Sequence, residues 1–373
     1  SRGLGDVYKR QANAGAVIVM NVKTGEVLAM ASYPDYNPQL FIDGISQEQY
    51  DSYKEGKNLV NRAISGVYSP GSIYKMVTAT AGLETGAITT KTKINDTGVY
   101  PKFGNPVCWY WRSYRRGHGY LNVTQAIQKS CNYFFYETGY RAGIENIVKY
   151  AEYYGLGMKT GIELLGEETG TISRPEIVEA RGEVWTPGYT LSAAIGQGDN
   201  GFTPIQMARY ISSLANGGNR VDVTLIKNIM KPDGTEVDKK ELENYVNERL
   251  GYTPTEVEDL NIKEENIDAI LEGMKGVTED GGTAYSTFAG FDIEVAGKTG
   301  SAETGDPDKV NGWFVGFAPF DDPEISVTVL IENAGSGGFT AETARDIMAE
   351  YFGMNANEVK EDMTAIPSTQ VQR

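Results

Sequence analysis

Strand-like apolar runs lie towards the two ends of this chain, and helical periodicity fills the space between them. Residues 16–20 (AVIVM) and 27–31 (VLAMA) are short β-rich runs. Asn21-Val22-Lys23-Thr24-Gly25-Glu26 between them has turn chemistry, so the pair reads as a hairpin. A lone hairpin is marginal in water. It needs partners, and residues 293–296, 313–318 and 325–331 supply strand-like runs near the other end. The two ends are therefore expected to share one antiparallel sheet.

In between, Ile73, Met76, Val77, Thr80 and Leu83 recur at helical spacing, with Pro70 and Gly71 before them and Gly86 after. Residues 124–136, 145–154, 203–215, 266–274 and 342–351 also read as helices, and Pro204 suits a first turn. Residues 223–237, with Lys231-Pro232-Asp233-Gly234 at the bend, read as a peripheral hairpin. The expected fold is α/β (α+β): an antiparallel sheet flanked by helices, plus an all-helical lobe, with a site in the cleft between.

A chain of 373 residues, 40% hydrophobic and 23% charged, can bury one large core or two smaller ones. Its formal net charge of -16 repels phosphate backbones and anionic lipid headgroups, which excludes nucleic acid as a natural partner. Two cysteines, Cys108 and Cys131, cannot form a disulfide framework, though one bridge stays open. The sole histidine, His118, leaves no His-rich metal site and no ready Ser-His-Asp triad. A serine nucleophile would need another base. No window approaches the roughly 18 apolar residues of a membrane span, and no signal peptide is visible. Residues 1–11 (SRGLGDVYKRQ) have no apolar period and are expected to be a non-native or disordered leader; residues 357–373 are expected to be a polar, fraying tail.

Three short motifs carry chemistry. Ser72 and Lys75 form Ser-x-x-Lys at the start of a helix, on one face, where free N–H groups favour developing negative charge. Ser130-Cys131-Asn132 offers a hydroxyl to relay a proton and an amide to hold a carbonyl. Each alone is more simply a capping serine or ordinary surface polarity, yet each pattern occurs once. Lys-Thr-Gly occurs three times. Lys23-Thr24-Gly25 fits a hairpin turn and Lys159-Thr160-Gly161 a helix C-cap loop, whereas Lys298-Thr299-Gly300 follows the strand at 293–296. Small residues there let a substrate backbone approach a strand edge. Gly297-Lys298-Thr299 is no P-loop, because position 292 is Asp where that loop needs glycine.

Together the three motifs are the recognised signature of class A β-lactamases and penicillin-binding proteins. Asn61-Arg62-Ala63, Tyr68-Ser69-Pro70-Gly71-Ser72, Gly196-Gln197-Gly198 with Thr203-Pro204, and Trp313-Phe314-Val315-Gly316-Phe317-Ala318-Pro319 resemble class B penicillin-binding proteins. The resemblance spans nearly the whole chain, and residues 12–356 are expected to form the transpeptidase domain. The run from Gly155 to Gly170 is most similar to the elongation or sporulation type.

That resemblance implies a peptidoglycan D,D-transpeptidase that β-lactams acylate. Ser72 would attack the penultimate D-alanine carbonyl of a stem peptide with Lys75 as base, and Ser130 would pass the proton to the leaving D-alanine. Lys298 would keep Lys75 neutral, and Asn132 would hold the substrate amide. Thr299 and Ser301 would bind the terminal carboxylate beside Gly300, and the N–H groups of Ser72 and Ser301 would form the oxyanion hole. The resemblance calls for no metal or cofactor. It implies a membrane anchor in a missing N-terminal part, an extracytoplasmic location, and a membrane glycosyltransferase partner. His118 is expected to be structural, no chemistry is read into Cys131, and Trp109, Tyr110 and Trp111 are expected to serve packing rather than to line a substrate groove. The rivals are a serine β-lactamase, for which Glu163, Glu167 and Glu168 look too much like a surface loop, and a non-catalytic β-lactam sensor.

Overall fold

The computed structural model describes residues 14–257, 259–306, 309–335 and 337–354. The leader and tail anticipated at 1–11 and 357–373 lie outside the described residues. The strands are β1 (Gly15–Asn21), β2 (Val27–Tyr33), β3 (Ile94–Asp96), β4 (Gly119–Leu121), β5 (Ala296–Glu303), β6 (Val310–Ala318) and β7 (Ile325–Ile331). The main sheet is antiparallel with order β2-β1-β7-β6-β5, and β3 pairs β4 separately. The N-terminal hairpin thus joins the C-terminal strands, with β1 on β7 from Gly15↔Ile331 to Asn21↔Ile325. Every residue of β7 is buried. That explains why its sequence, ISVTVLI, does not alternate: a strand covered on both faces needs no polar side.

The helices that bear on the site are α1 (Lys75–Glu84), α2 (Trp109–Tyr114), α3 (Val123–Gln128), α4 (Asn132–Ala142), α5 (Ile144–Tyr153), α6 (Pro187–Ala194), α7 (Pro204–Ala215), α8 (Glu264–Thr278) and α9 (Gly338–Tyr351). Helix α7 starts where its sequence says it must. Pro204 occupies the first turn, and Thr203 and Gln206 form a reciprocal capping box. It is buried throughout and packs on β1, β6 and β7, while α9 also covers β6 and β7. The helical lobe is built on α1, which contacts α4, α5 and α8. Phe314, Val327 and Leu330 of the sheet and Phe135, Ile147 and Tyr154 of the helical lobe belong to one continuous core.

Four expectations change. The helix anticipated at 124–136 is two helices, α3 and α4, broken at residues 129–131. The strand anticipated at 293–296 begins at Ala296 and runs to Glu303, so Lys298-Thr299-Gly300 lies inside it. Its glycines are expected from the sequence to admit a substrate backbone. They are packing positions: a β-carbon on Gly300 would lie 3.0–3.1 Å from Ile73, Pro70 and Trp313 atoms. The hairpin at 223–237 shrinks to single bridges, Met230↔Glu236 and Glu26↔Thr224, in a segment of which only Val223 is buried. Glu167 is not a surface residue. Its buried carboxylate accepts from Thr160 N–H and Oγ1 and from Gly161 N–H, tying its own loop together.

Candidate active site

Ser72 stands in a 3-10 turn, Gly71–Tyr74, that runs straight into α1 at Lys75. The turn is fastened from three sides. Gly71 N–H donates to the Gly196 carbonyl, Ser69 Oγ donates to the same carbonyl, and the Trp313 indole donates to the Ser69 carbonyl. Gly71 has φ +54, and a β-carbon there would come within 2.8 Å of the Ser301 carbonyl oxygen. Glycine lets the nucleophile turn lie directly against β5. Upstream, Arg62 and Tyr68 both bond Glu332 Oε1, at 2.9 and 2.8 Å, docking the approach to this turn beside the end of β7.

Ser130 occupies the break between α3 and α4. Lys129 caps α3, Ser130 N–H donates to Ile127 C=O, and Cys131 N–H donates to Ala126 C=O. This is a Schellman ending, whose next residue is left-handed and usually glycine. Here that residue is Ser130, at φ +51. The unusual conformation turns its hydroxyl inward, and Asn132 begins α4 one residue beyond Cys131.

The motif residues converge on this hydroxyl. Ser130 Oγ accepts from Lys298 Nζ at 2.8 Å and from Lys75 Nζ at 3.2 Å. Lys75 Nζ also donates to the Ser130 carbonyl at 2.8 Å and to Asn132 Oδ1 at 2.6 Å. No hydrogen bond among the described residues joins Lys75 to Ser72 Oγ. Both lysines are fully buried. Burial pushes Lys75 down to about 8. Burial pushes Lys298 well below the usual lysine range, and the neighbouring charge on Lys75 adds to it. Two ammonium groups facing one oxygen disfavour each other, so the pair readily holds one neutral amine.

β5 is the last strand of the sheet and carries Lys298, Thr299, Gly300 and Ser301 opposite Val315, Phe314, Trp313 and Gly312 of β6. The Thr299 and Thr283 hydroxyls lie 2.7 Å apart, and Ser301 Oγ accepts from Gly337 N–H at 3.2 Å. Every candidate residue thus falls on the Ser72 turn, the Ser130 turn, or one stretch of β5. A nucleophile, two buried amines and a bridging hydroxyl can together move a proton and stabilise an acyl transfer.

Comparison with known proteins places the chain in a family. A family model described as the penicillin binding protein transpeptidase domain matches residues 15–349. This chain belongs to that family. Among curated relatives, it is similar to the peptidoglycan D,D-transpeptidase MrdA of Acinetobacter baumannii, 32% identical over 89% of this chain and 50% of that protein. It is also similar to MrdA of Escherichia coli K12, at 33% over 89% and 53%, and to stage V sporulation protein D of Bacillus subtilis, at 32% over 85% and 45%. The chain spans about half the length of these relatives. Among solved structures, PBP2 of Pseudomonas aeruginosa in complex with WCK 5153 superposes with a TM-score of 0.81 at 32% identity, covering 94% of this chain and 75% of that one. PBP2 of Helicobacter pylori in complex with MreC gives 0.78 at 27%, covering 95% and 63%.

The transpeptidase domain holds a second polar cluster behind the Ser130 turn. Asp96, Cys108, His118 and Cys131 place one ligand atom each within 4.8 Å of one another. His118 Nδ1 lies 2.7 Å from Asp96 Oδ2, Cys131 Sγ donates to the same oxygen at 3.3 Å, and the two sulfurs are 4.0 Å apart. Although burial opposes it, hydrogen bonds from His118, Gly98 and Cys131 hold Asp96 down at about 2. The contact with Cys131 pulls the Cys108 thiol down, while burial pushes Cys131 up. The expectation of no metal site rested on a single histidine. The fold gathers four donors from β3, the start of α2, the segment before β4 and the start of α4, which no sequence spacing reveals. The sequence reading assigned Trp109 to packing, whereas its indole also donates to Ser130 C=O at 3.0 Å, and it missed Thr283.

Proposed function

We propose that this domain is a serine D,D-transpeptidase that cross-links peptidoglycan stem peptides and is acylated by β-lactams. The observation that carries the reading is Ser130 Oγ held between the two buried amines of Lys75 and Lys298. Ser72 Oγ attacks the penultimate D-alanine carbonyl, and its proton passes to neutral Lys75. Contacts between nucleophile and base often close only with substrate bound. Ser130 delivers a proton to the departing D-alanine nitrogen as the C–N bond breaks. The N–H groups of Ser72 and Ser301 cradle the oxyanion. Asn132 holds the substrate amide, and Thr299, Gly300 and Ser301 align the terminal carboxylate along the β5 edge. An amine from a second stem then releases the ester.

The same family likeness supports membrane attachment outside this chain, an extracytoplasmic location, and work beside a membrane glycosyltransferase in elongation or sporulation. A β-lactamase would need a carboxylate free to activate water. Glu167 is committed to Thr160 and Gly161, and Glu163 to Thr224 and the Leu225 N–H. Intact mass after incubation with benzylpenicillin tests the proposal. The expected result is a long-lived adduct on the chain and none on Ser72→Ala. Rapid hydrolysis of nitrocefin without a lasting adduct would favour the β-lactamase instead.

We infer further that Asp96, Cys108, His118 and Cys131 hold a structural zinc-type cation. Two thiolates, an imidazole and a carboxylate make a closed tetrahedral set, with no open position for chemistry. Metal analysis should give about one zinc per chain. Removal by a chelator, or Asp96→Asn, should lower the melting temperature. Metal-free protein with unchanged melting after chelator would sink the idea.

A further inference from the structure

Trp109 opens α2 directly after Cys108, and its indole N–H does more than packing requires. That N–H is shared between the carbonyls of Lys129 at 3.2 Å and Ser130 at 3.0 Å. The end of a helix leaves its last carbonyls without partners inside the helix. The N–H groups of Ser130 and Cys131 satisfy Ile127 and Ala126. Further along the turn, the carbonyls of Lys129 and Ser130 receive Trp109, and Ser130 also receives Lys75. An indole is a donor only, and its direction is fixed by its ring. The ring is itself held edge-on to Tyr110, with centroids 5.5 Å apart, and against His118 at 5.8 Å. His118 in turn bonds Asp96. A line of fixed groups therefore runs from Asp96 to a turn whose key residue, a β-carbon-bearing serine, sits in a conformation that ordinarily favours glycine.

We propose that Trp109 is a positioning residue of the acylation step: its indole N–H holds the left-handed Ser130 turn, and with it the Ser130 hydroxyl, between the two lysine amines. Trp109 touches no reacting atom and acts through Ser130. The proposal rests on the reading of Ser130 as the proton relay. It requires neither that the neighbouring donor cluster hold a metal nor that any group there titrate.

The test is stopped-flow acylation of the chain by benzylpenicillin, with the noncovalent constant Ks and the acylation rate constant k2 resolved separately and active sites titrated with fluorescent penicillin. Trp109→Phe keeps an aromatic ring and removes the donor. We expect k2 per active site to fall about tenfold, with Ks changed by less than about twofold. A purely structural role would lower the melting temperature and the fraction of active sites while leaving k2 per site unchanged, and that result overturns the proposal. Replacing Trp109 by benzothienylalanine, which has the same shape with sulfur for N–H, gives the same reading should the phenylalanine variant fold poorly. Absence of acylation in the unaltered chain would overturn the acyl-enzyme reading itself, and this proposal with it. Acylation with equal k2 in all forms overturns only the role of Trp109.

Discussion

The two walls of the site are built by opposite means. On the sheet side, Lys298, Thr299, Gly300 and Ser301 are consecutive residues of β5, placed by its ladder with β6. The backbone repeats, and the side chains inherit their positions from it. On the helical side, Ser130 and Asn132 lie across a helix break, placed by individual bonds from Lys75, Trp109 and the helix cap. A strand tolerates the loss of one side-chain contact because its neighbours keep the register. A turn held in a left-handed conformation has no such reserve. The proposed proton relay thus stands on the more exacting wall, and the proposed shelf for substrate on the more forgiving one.

The largest effect expected from this contrast is at Lys298. Lys298→Met should lower β-lactam acylation by about 10²–10⁴-fold while leaving thermal stability equal or higher, because a buried amine is replaced by an apolar chain of similar length. A drop in stability as large as that of a core truncation would mean that the lysine is part of the sheet's scaffold. Next comes the pH dependence of acylation. With Lys75 at about 8 and needed as the neutral base, the rate constant should rise with pH and level off above that value. Between about 8 and the ordinary lysine value of 10.5, the unfolded chain keeps a proton that the folded chain has released, so Lys75 makes unfolding less favourable as pH rises there. A flat rate profile between pH of about 6 and 10 would remove Lys75 from the base role.

The smallest effect separates the two walls most cleanly. At Ser130, the glycine variant should be more stable than the alanine variant by about 1 kcal/mol, because both lose the hydroxyl and only alanine keeps the left-handed strain. At Ser301, in a regular strand, the order should reverse, with glycine less stable than alanine by about 0.5–1 kcal/mol. Denaturant midpoints for the four variants decide it. The same sign at both positions would erase the distinction drawn here.

Much of this was legible in the sequence for identifiable reasons. Residues 16–20 and 27–31 could not stand alone as a hairpin, so a sheet shared with the C-terminal runs followed. Pro204, suited to a first turn, marked the start of α7. The stretch 124–136 was misread as one continuous helix because Ser130 fills a position where glycine is the usual signal. The strand containing Lys298 was cut short at residue 296, although Gly297 and Gly300 lie inside it and let Phe314, Ile73 and Trp313 approach. The charged helices Gln47–Glu55 and Lys239–Leu250 escaped notice because neither buries a residue, which leaves no apolar stripe to detect.

By itself, then, the sequence determined the kind of chemistry and the class of fold, since local motifs and apolar periods survive in one dimension. The tertiary structure alone decided what the motifs do to one another. Only packing buries Lys75 and Lys298 against a single oxygen, shifting both below their ordinary range. Only packing brings Asp96, Cys108, His118 and Cys131 together and aims the Trp109 indole at Ser130. Desolvation and directional hydrogen bonds depend on which groups become neighbours in space, and residues far apart along a chain do not announce that they will meet.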